Sequence, residues 1–295
     1  MRVRKAVFVV AGFGTRFLPV TKTVPKEMLP IVDKPIIHYA IEEALDSGIT
    51  DLIFVVSRNK KAIEDYLDVH PELEELLKKT GKESLLPLVS RFANSANIFF
   101  VRQPGPFGTG DAVLRAESII GDEPFMVIYP DDVFLSEIPF TKQMMEIHDQ
   151  TGSSVLGLEE VPQDKVSAYG VIRPGEKDND KVEITEFVEK PKAEEAPSNL
   201  ASVGRYLLTP NVFKYLKAVE PAPNGEYYIT NGINELLKTE KVYGKVFKGR
   251  HFDTGNKIGY LKANLYEAYQ DPSLRGEMMQ FIGELSEDSQ VKTKL

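Results

Sequence analysis

Short apolar runs rich in Val, Ile and Phe recur along the chain, separated by stretches with helical periodicity or by polar loops. The clearest cover residues 6–10, 52–56, 98–101, 125–129 and 154–158. Continuous apolar runs of that length predict strands buried on both faces, as in parallel sheets. Between the first two, over residues 35–47, Ile37, Ile41, Ala44 and Leu45 fall at helical spacing. Gly48 then stands where a helix end takes a left-handed residue. Thr109 is placed to cap a helix running through Ala112, Val113 and Ala116. Residues 65–82 are strongly charged and predict an exposed helical excursion. Residues 177–181 predict a polar turn between two strands, and 193–198 a Glu/Pro-rich loop. The alternation of strands and helices predicts a doubly wound α/β sheet.

Composition narrows the class. Of 295 residues, 42% are hydrophobic and 27% charged, which supplies a sizeable core and excludes global disorder. The net charge of -8 argues against a general nucleic-acid binder but permits a local basic pocket. The absence of cysteine excludes disulfides, zinc–thiolate sites, iron–sulfur clusters and thiol catalysis. No run of about 18 apolar residues is present, so no membrane-spanning helix is predicted. The basic start Met1-Arg2-Val3-Arg4-Lys5 leads into an apolar stretch too short for a signal peptide. A cytoplasmic protein with no membrane or nucleic-acid partner is expected.

Candidate chemistry gathers at the predicted strand ends. The first strand runs into Ala11-Gly12-Phe13-Gly14-Thr15-Arg16-Phe17. Glycines there let backbone N–H groups approach a phosphate or base closely. A dinucleotide fingerprint needs a third glycine where Phe17 stands, and Pro19, Pro25 and Pro30 forbid the long helix that fold begins here. What remains is a glycine loop followed by Arg16, Lys22 and Lys26. The third strand ends at Gln103, whose amide carries the donor and acceptor needed to read a base edge. The fourth ends at Asp131-Asp132, hard oxygen ligands suited to Mg²⁺ shared with phosphate oxygens. Taken alone, a loop glutamine or an Asp-Asp pair is more often a surface amide or a turn, and a glycine loop with three cations is as often a tight turn with solvated charges. Ligands of open α/β sheets lie beyond the strands' carboxyl ends, and these three ends together describe a nucleoside triphosphate site.

Farther along, Tyr169-Gly170 and Val188-Glu189-Lys190-Pro191 stand near strand-like segments. Glu189 can accept hydrogen bonds from sugar hydroxyls and Lys190 can neutralise a phosphate; as bland features they are a surface ion pair. Asp253 offers one more carboxylate beside glycine, in what is otherwise a turn. His38, His70, His148 and His251 lack metal-ligand spacing and are expected to be structural or exposed.

These residues carry a resemblance. The motif segments are Ala11-Gly12-Phe13-Gly14-Thr15-Arg16-Phe17-Leu18-Pro19, Pro25-Lys26-Glu27-Met28-Leu29-Pro30, Glu159-Glu160-Val161-Pro162, Val188-Glu189-Lys190-Pro191-Lys192, Pro197-Ser198-Asn199-Leu200-Ala201 and Val203-Gly204-Arg205-Tyr206. Over roughly residues 3–272 the chain resembles the bacterial UTP–glucose-1-phosphate uridylyltransferases, within the sugar-1-phosphate nucleotidyltransferases. The resemblance implies a Rossmann-like α/β nucleotidyltransferase fold, its central sheet mostly parallel and flanked by helices. It implies a catalytic domain over residues 1–272 and a C-terminal helix and tail over 273–295. The implied reaction joins UTP and glucose 1-phosphate into UDP-glucose and pyrophosphate with Mg²⁺, in a homodimer or homotetramer. Implied catalytic groups are Arg16, Lys26, Asp131 and Lys190. Nucleotide contacts are implied for Ala11, Gly12, Gly14, Thr15, Gln103 and Gly108, sugar contacts for Tyr169, Gly170 and Glu189, and metal ligation for Asp131 and Asp253. The chain departs from the family's usual residues at Val10, Phe13, Phe107, Thr109 and Asp111 near the base, and over residues 227–233 toward the sugar. Transfer from dTTP or to another sugar phosphate, and a non-catalytic binding homologue, stay open at this point. The joint presence of Arg16, Lys26, Asp131 and Lys190 argues against the last.

Overall fold

A computed structural model describes residues 2–105 and 107–287; the expected tail beyond residue 287 lies outside the described residues. The strands are β1 (Lys5–Val9), β2 (Pro30–Ile31), β3 (Lys34–Pro35), β4 (Asp51–Val56), β5 (Asn97–Arg102), β6 (Phe125–Ile128), β7 (Asp132–Leu135), β8 (Ser154–Glu160), β9 (Gly170–Asp178), β10 (Lys181–Glu189), β11 (Leu200–Leu208), β12 (Val242–Val246) and β13 (Arg250–Asp253). Among the described residues, nine of them form one sheet in the order β5-β4-β1-β6-β11-β8-β12-β10-β9.

All five predicted apolar runs are strands, for a visible reason. In β1, Ala6 and Phe8 enter the core on one face of the sheet while Val7 enters the core on the other. Leu52 and Phe54 against Ile53 and Val55 repeat this in β4. With both faces covered there is no polar position to break the run. Helices Ile36–Asp46 and Phe140–Thr151 cover the first face. Gly108–Arg115, Val212–Leu216 and Ile229–Leu237 cover the second. The helix Ile36–Asp46 stops where expected, with Gly48 at φ +86°.

The expected parallel character holds in β5, β4, β1 and β6, which pair parallel to one another. From β11 onward the sheet is mixed: β11 runs antiparallel to β6, β8 and β9, and β10 antiparallel to β9 and β12. Only β8–β12 restores a parallel pair in this half. The charged excursion is two helices, Lys61–Leu67 and Pro71–Lys79. The polar turn joins β9 to β10 with Asn179 at φ +57°. Thr109 corrects one expectation. Phe107 occupies the cap position of Gly108–Arg115, and Thr109 lies inside the helix, where its hydroxyl accepts from the Ile229 N–H at 3.3 Å. The chain ends in helices Lys257–Gln270 and Pro272–Glu287. Among the described residues no helix is long and apolar enough to cross a membrane.

Candidate active site

After β1 the chain cannot start a long helix. It makes three short 3-10 turns, Thr15–Phe17, Val20–Lys22 and Lys26–Met28, spaced by prolines. Gly14 sits at φ +66°, and a Cβ there would stand 3.1 Å from the Lys26 Cβ. Glycine therefore lets the Lys26 stem close against the loop. Lys26 Nζ donates to Asp131 Oδ2 at 2.5 Å. Next to it Glu27 is wholly buried, paired with Lys60 Nζ at 2.6 Å. Arg16 reaches the Gly255 carbonyl at 3.3 Å.

Asp131 follows β6 and belongs to a carboxylate cluster. Its carbonyl accepts from both the N–H and the hydroxyl of Thr254. Asp253, at the end of β13, is the register partner of Asp132. A Cβ on Gly255 would lie 2.7 Å from Asp131 Oδ2 and 3.0 Å from Asp253 Oδ1, so the two carboxylates converge on one bare glycine. Burial works against the Asp131 charge, but attraction to Lys26 and its hydrogen bond prevail and hold the carboxyl below the usual range. Burial likewise opposes the Lys26 charge, and Asp131 and Glu27 overcome it. Asp253 goes the other way: burial, then the charges of Asp132 and Asp131, push it up. His251 is the counter-ion on the far side, its two ring nitrogens at 2.8 Å from Asp132 Oδ1 and 2.6 Å from Glu159 Oε2. Burial opposes its charge, yet those two hydrogen bonds raise it to about 9. The histidine is structural, as expected.

Gln103 is buried, and its amide nitrogen donates to the Gly108 carbonyl at 3.0 Å and to Asp111 Oδ2 at 2.9 Å. Both partners are acceptors, which fixes the amide's orientation. The expected donor–acceptor pair is thereby corrected: the two amide hydrogens are taken, and the oxygen alone is left for a ligand. Gly108, at φ +88°, leaves no room for a side chain; a Cβ would stand 2.5 Å from the Tyr227 carbonyl oxygen.

Gly170 and Glu189 are register partners across β9 and β10. Neighbours on a regular strand face opposite ways, so Glu189 and Lys190 can share a ligand only where the strand bends. Lys190 has φ +46°, and its N–H donates to the Tyr169 carbonyl at 3.0 Å. Thr230 donates to Glu189 Oε2 at 2.5 Å.

One cleft of about 420 Å³ gathers these groups. Ala11, Gly12, Gln103 and Gly108 line it from the parallel half, with Arg16, Lys26 and Asp131 beside them. Tyr169, Gly170, Glu189 and Lys190 line it from the antiparallel half. Gly14, Thr15 and Asp253 stand outside its lining. Gly14 supports Lys26 and Thr15 opens the turn that carries Arg16, while Asp253 faces an adjoining hollow of about 320 Å³ that shares Tyr169 with the cleft.

A sequence model of nucleotidyl transferases matches residues 5–270. The chain belongs to the nucleotidyl transferase family. It is 45% identical over 284 residues to a UTP--glucose-1-phosphate uridylyltransferase of Staphylococcus haemolyticus, covering 96% of this chain and 99% of the relative. Identity is also 45% to UTP--glucose-1-phosphate uridylyltransferase 2 of Staphylococcus saprophyticus, over 96% of this chain and 98% of the relative. A UDP-glucose pyrophosphorylase complexed with UDP-glucose superposes with a TM-score of 0.83 at 40% identity, covering 91% of this chain and 100% of that one. UTP-bound UGPase of Acinetobacter baumannii superposes at 0.88 with 36% identity, over 96% and 99%. The family resemblance and the Rossmann-like α/β fold read from the sequence are both borne out, and the nucleotidyl transferase is an enzyme.

Sequence reading missed one residue that shapes this nucleotidyl transferase's site. Arg205 is fully buried in β11, and all its N–H groups are engaged. Nε and Nη2 hold the buried Glu43 carboxylate, Nη2 at 2.7 Å. Nη1 donates to the carbonyls of Tyr129 (2.9 Å) and Gly204 (3.0 Å), and Nη2 to that of Asp132 (3.0 Å). Arg205 thus clamps the backbone on both sides of Asp131. The available signal was a lone arginine inside the otherwise uncharged run Leu200–Leu208.

Proposed function

We propose that this nucleotidyl transferase moves a uridylyl group from UTP to glucose 1-phosphate, releasing pyrophosphate and leaving UDP-glucose. One observation carries the reading: the order of groups across the sheet. Gln103 beyond β5 and the glycine loop beyond β1 suit a base. Lys26, Arg16 and Asp131 beside β1 and β6 suit a triphosphate. Gly170 and Glu189 on β9 and β10, with Lys190 just after β10, suit a sugar phosphate. The names of the uridylyltransferase relatives supply the substrates that fit this order.

A phosphate oxygen of glucose 1-phosphate forms a bond to the α-phosphorus of UTP. The bond from that phosphorus to the oxygen bridging the β-phosphate breaks, and pyrophosphate departs with the electron pair. A phosphate monoester loses its second proton near pH ~6, so the nucleophile is already charged and no general base is needed. The barrier lies in bringing two anions together. Lys190 offsets charge on the sugar phosphate, and Arg16 and Lys26 offset it on the triphosphate, so catalysis is positioning and electrostatics. Lys26, held well into its ammonium form, keeps its proton. Gln103 Oε1 accepts from the N3–H of uracil, whereas cytosine offers an acceptor there and is rejected.

The carboxylates fit a divalent cation. Asp131 and Asp253 converge on one point, and burial together with the neighbouring charges of Asp132 and Asp131 raises Asp253, a penalty that a bound cation would relieve. Mg²⁺ held by these two would neutralise triphosphate charge, with phosphate oxygens and water completing its shell. Lys26 and Asp131 satisfy each other at 2.5 Å, and a magnesium triphosphate offers each a replacement partner. The proposal extends to a cytoplasmic homodimer or homotetramer with a catalytic unit over residues 1–272. The exposed Ile258, Leu261, Leu265, Met279 and Phe281 on the last two helices support assembly.

Pyrophosphate release measured over UTP, dTTP, CTP and ATP, each with glucose, galactose and mannose 1-phosphates, tests the reading. UTP with glucose 1-phosphate should give the highest kcat/KM, with UDP-glucose as product. A different best pair, or no release with any, overturns it.

A further inference from the structure

Ser202 lies on β11 and is 6% exposed; its Oγ makes no well-formed hydrogen bond, with the Tyr206 hydroxyl near enough to interact only weakly. It nevertheless lines the cleft. A buried hydroxyl left unpaired in a protein interior is costly and calls for an explanation. The sheet register supplies one. Ser202 is the register partner of Gly170, and Gly170 is the register partner of Glu189. Directly opposed residues in antiparallel pairs project to the same face, so Ser202 and Glu189 stand on one face with a bare glycine between them. A Cβ on Gly170 would sit 3.3 Å from Glu189 Oε2 and would collide with the Phe187 ring at 2.5 Å. The missing side chain lets the Phe187 ring pack over Gly170, and the bare backbone of Gly170 lines the cleft between Ser202 and Glu189. The backbones carrying Ser202 and Glu189 are two strand spacings apart, about 10 Å, and both residues line the cleft, so a hexose lying there can meet one at each edge.

The chemistry of the two residues is complementary. Glu189 only accepts, and one of its oxygens already takes the Thr230 hydroxyl. Ser202 both donates and accepts. Tyr206 and Tyr129 share its wall of the cleft. These are neutral hydroxyls, suited to another neutral hydroxyl, while the cations that suit phosphate are Lys190, Arg16 and Lys26.

We propose that Ser202 is a specificity-determining residue of the sugar subsite, its hydroxyl pairing with a hexose hydroxyl on the ring edge opposite the one held by Glu189. The inference rests on the proposed uridylyl transfer to glucose 1-phosphate and adds a residue to it. A site built around a substrate hydroxyl discriminates strongly against an analogue that lacks it.

The test compares wild type, Ser202→Ala and Ser202→Thr with UTP and glucose 1-phosphate or its 2-, 3-, 4- and 6-deoxy analogues. Ser202→Ala should lower kcat/KM for glucose 1-phosphate by roughly 5–30-fold, the loss of one hydrogen bond to an otherwise satisfied group, with the KM for UTP unchanged. For one deoxy analogue, wild type and Ser202→Ala should be equal, because the partner is already gone. Ser202→Thr, which keeps the hydroxyl, should retain discrimination against that same analogue. An equal loss across all analogues, no loss at all, or a loss confined to the UTP KM overturns the assignment of Ser202. Wild type inactive on glucose 1-phosphate itself overturns the proposed function and takes this inference with it, a result distinct from every outcome in the variant comparison.

Discussion

In the parallel half of the sheet, β5-β4-β1-β6, the cleft-facing groups sit on loops beyond the strands' carboxyl ends: the glycine loop, Gln103 and Asp131. In the antiparallel half Ser202, Gly170 and Glu189 sit on the strands in one register row, with Tyr169 and Lys190 just beyond the strand ends. The two constructions match two recognition problems. A triphosphate needs counter-charges that can exchange partners, and the Lys26–Asp131 pair is only partly buried and opens onto the cleft. A sugar presents neutral hydroxyls, read best by fixed, desolvated partners, and strands hold side chains more rigidly than loops. Between the halves lies a second ion pair of opposite character. Arg205–Glu43 is wholly buried, satisfied on every side, and ties β11 to the turn that carries Asp131.

The comparison breaks most severely at that tie. Removing one partner of a buried pair strands the other charge, so Arg205→Met should cost about 3–5 kcal/mol in urea unfolding. Adding Glu43→Leu should recover much of the loss, because no charge is then left unpaired. Recovery that fails would mean the clamp on the Tyr129 and Asp132 carbonyls carries the stability.

Asp131→Asn comes next. Turnover should fall by about 10²–10³-fold with the unfolding transition retained, and excess Mg²⁺ should not restore it. Wild-type turnover would remove Asp131 from the site. Asp253→Asn should show a smaller loss that added Mg²⁺ partly restores.

His251 sharpens the view of the carboxylate cluster as an electrostatic unit. Its folded pKa of about 9 lies above the ~6.5 of an unfolded chain. Its contribution is therefore full below about pH 6.5 and is lost as pH rises toward 9. In metal-free buffer, wild-type stability should decline across that window by on the order of 3 kcal/mol, and His251→Gln should flatten the decline. An equally steep profile in the variant assigns the decline elsewhere.

How much of this was legible in the sequence follows from the same division. Strands of the parallel half read clearly because burial on both faces leaves unbroken apolar runs. Lys26, Arg16 and Asp131 became candidates only jointly, because three strand ends together supply a glycine loop with cations, an amide and carboxylates. The antiparallel half was harder. Strand β9 is exposed from Arg173 onward and carries Pro174, so its pattern is not that of a buried strand. The Arg205–Glu43 pair joins residues 162 positions apart, and no local pattern announces it. Ser202 gains meaning only from the β11–β9 register. The Gln103 amide lost its donor role to Asp111, a contact that depends on how the loop after β5 turns into a helix.

The most direct test crosses the two halves. Gln103→Ala and Glu189→Gln are each assayed for kcat/KM with UTP against CTP, and with glucose 1-phosphate against galactose 1-phosphate. Gln103→Ala should raise the KM for UTP by roughly 5–10-fold, about one hydrogen bond, and blur triphosphate selectivity while leaving the sugar ratio alone. Glu189→Gln should blur the sugar ratio and leave triphosphate selectivity intact. If either variant shifts both ratios equally, or the effects are exchanged, the assignment of base to the parallel half and sugar to the antiparallel half is wrong.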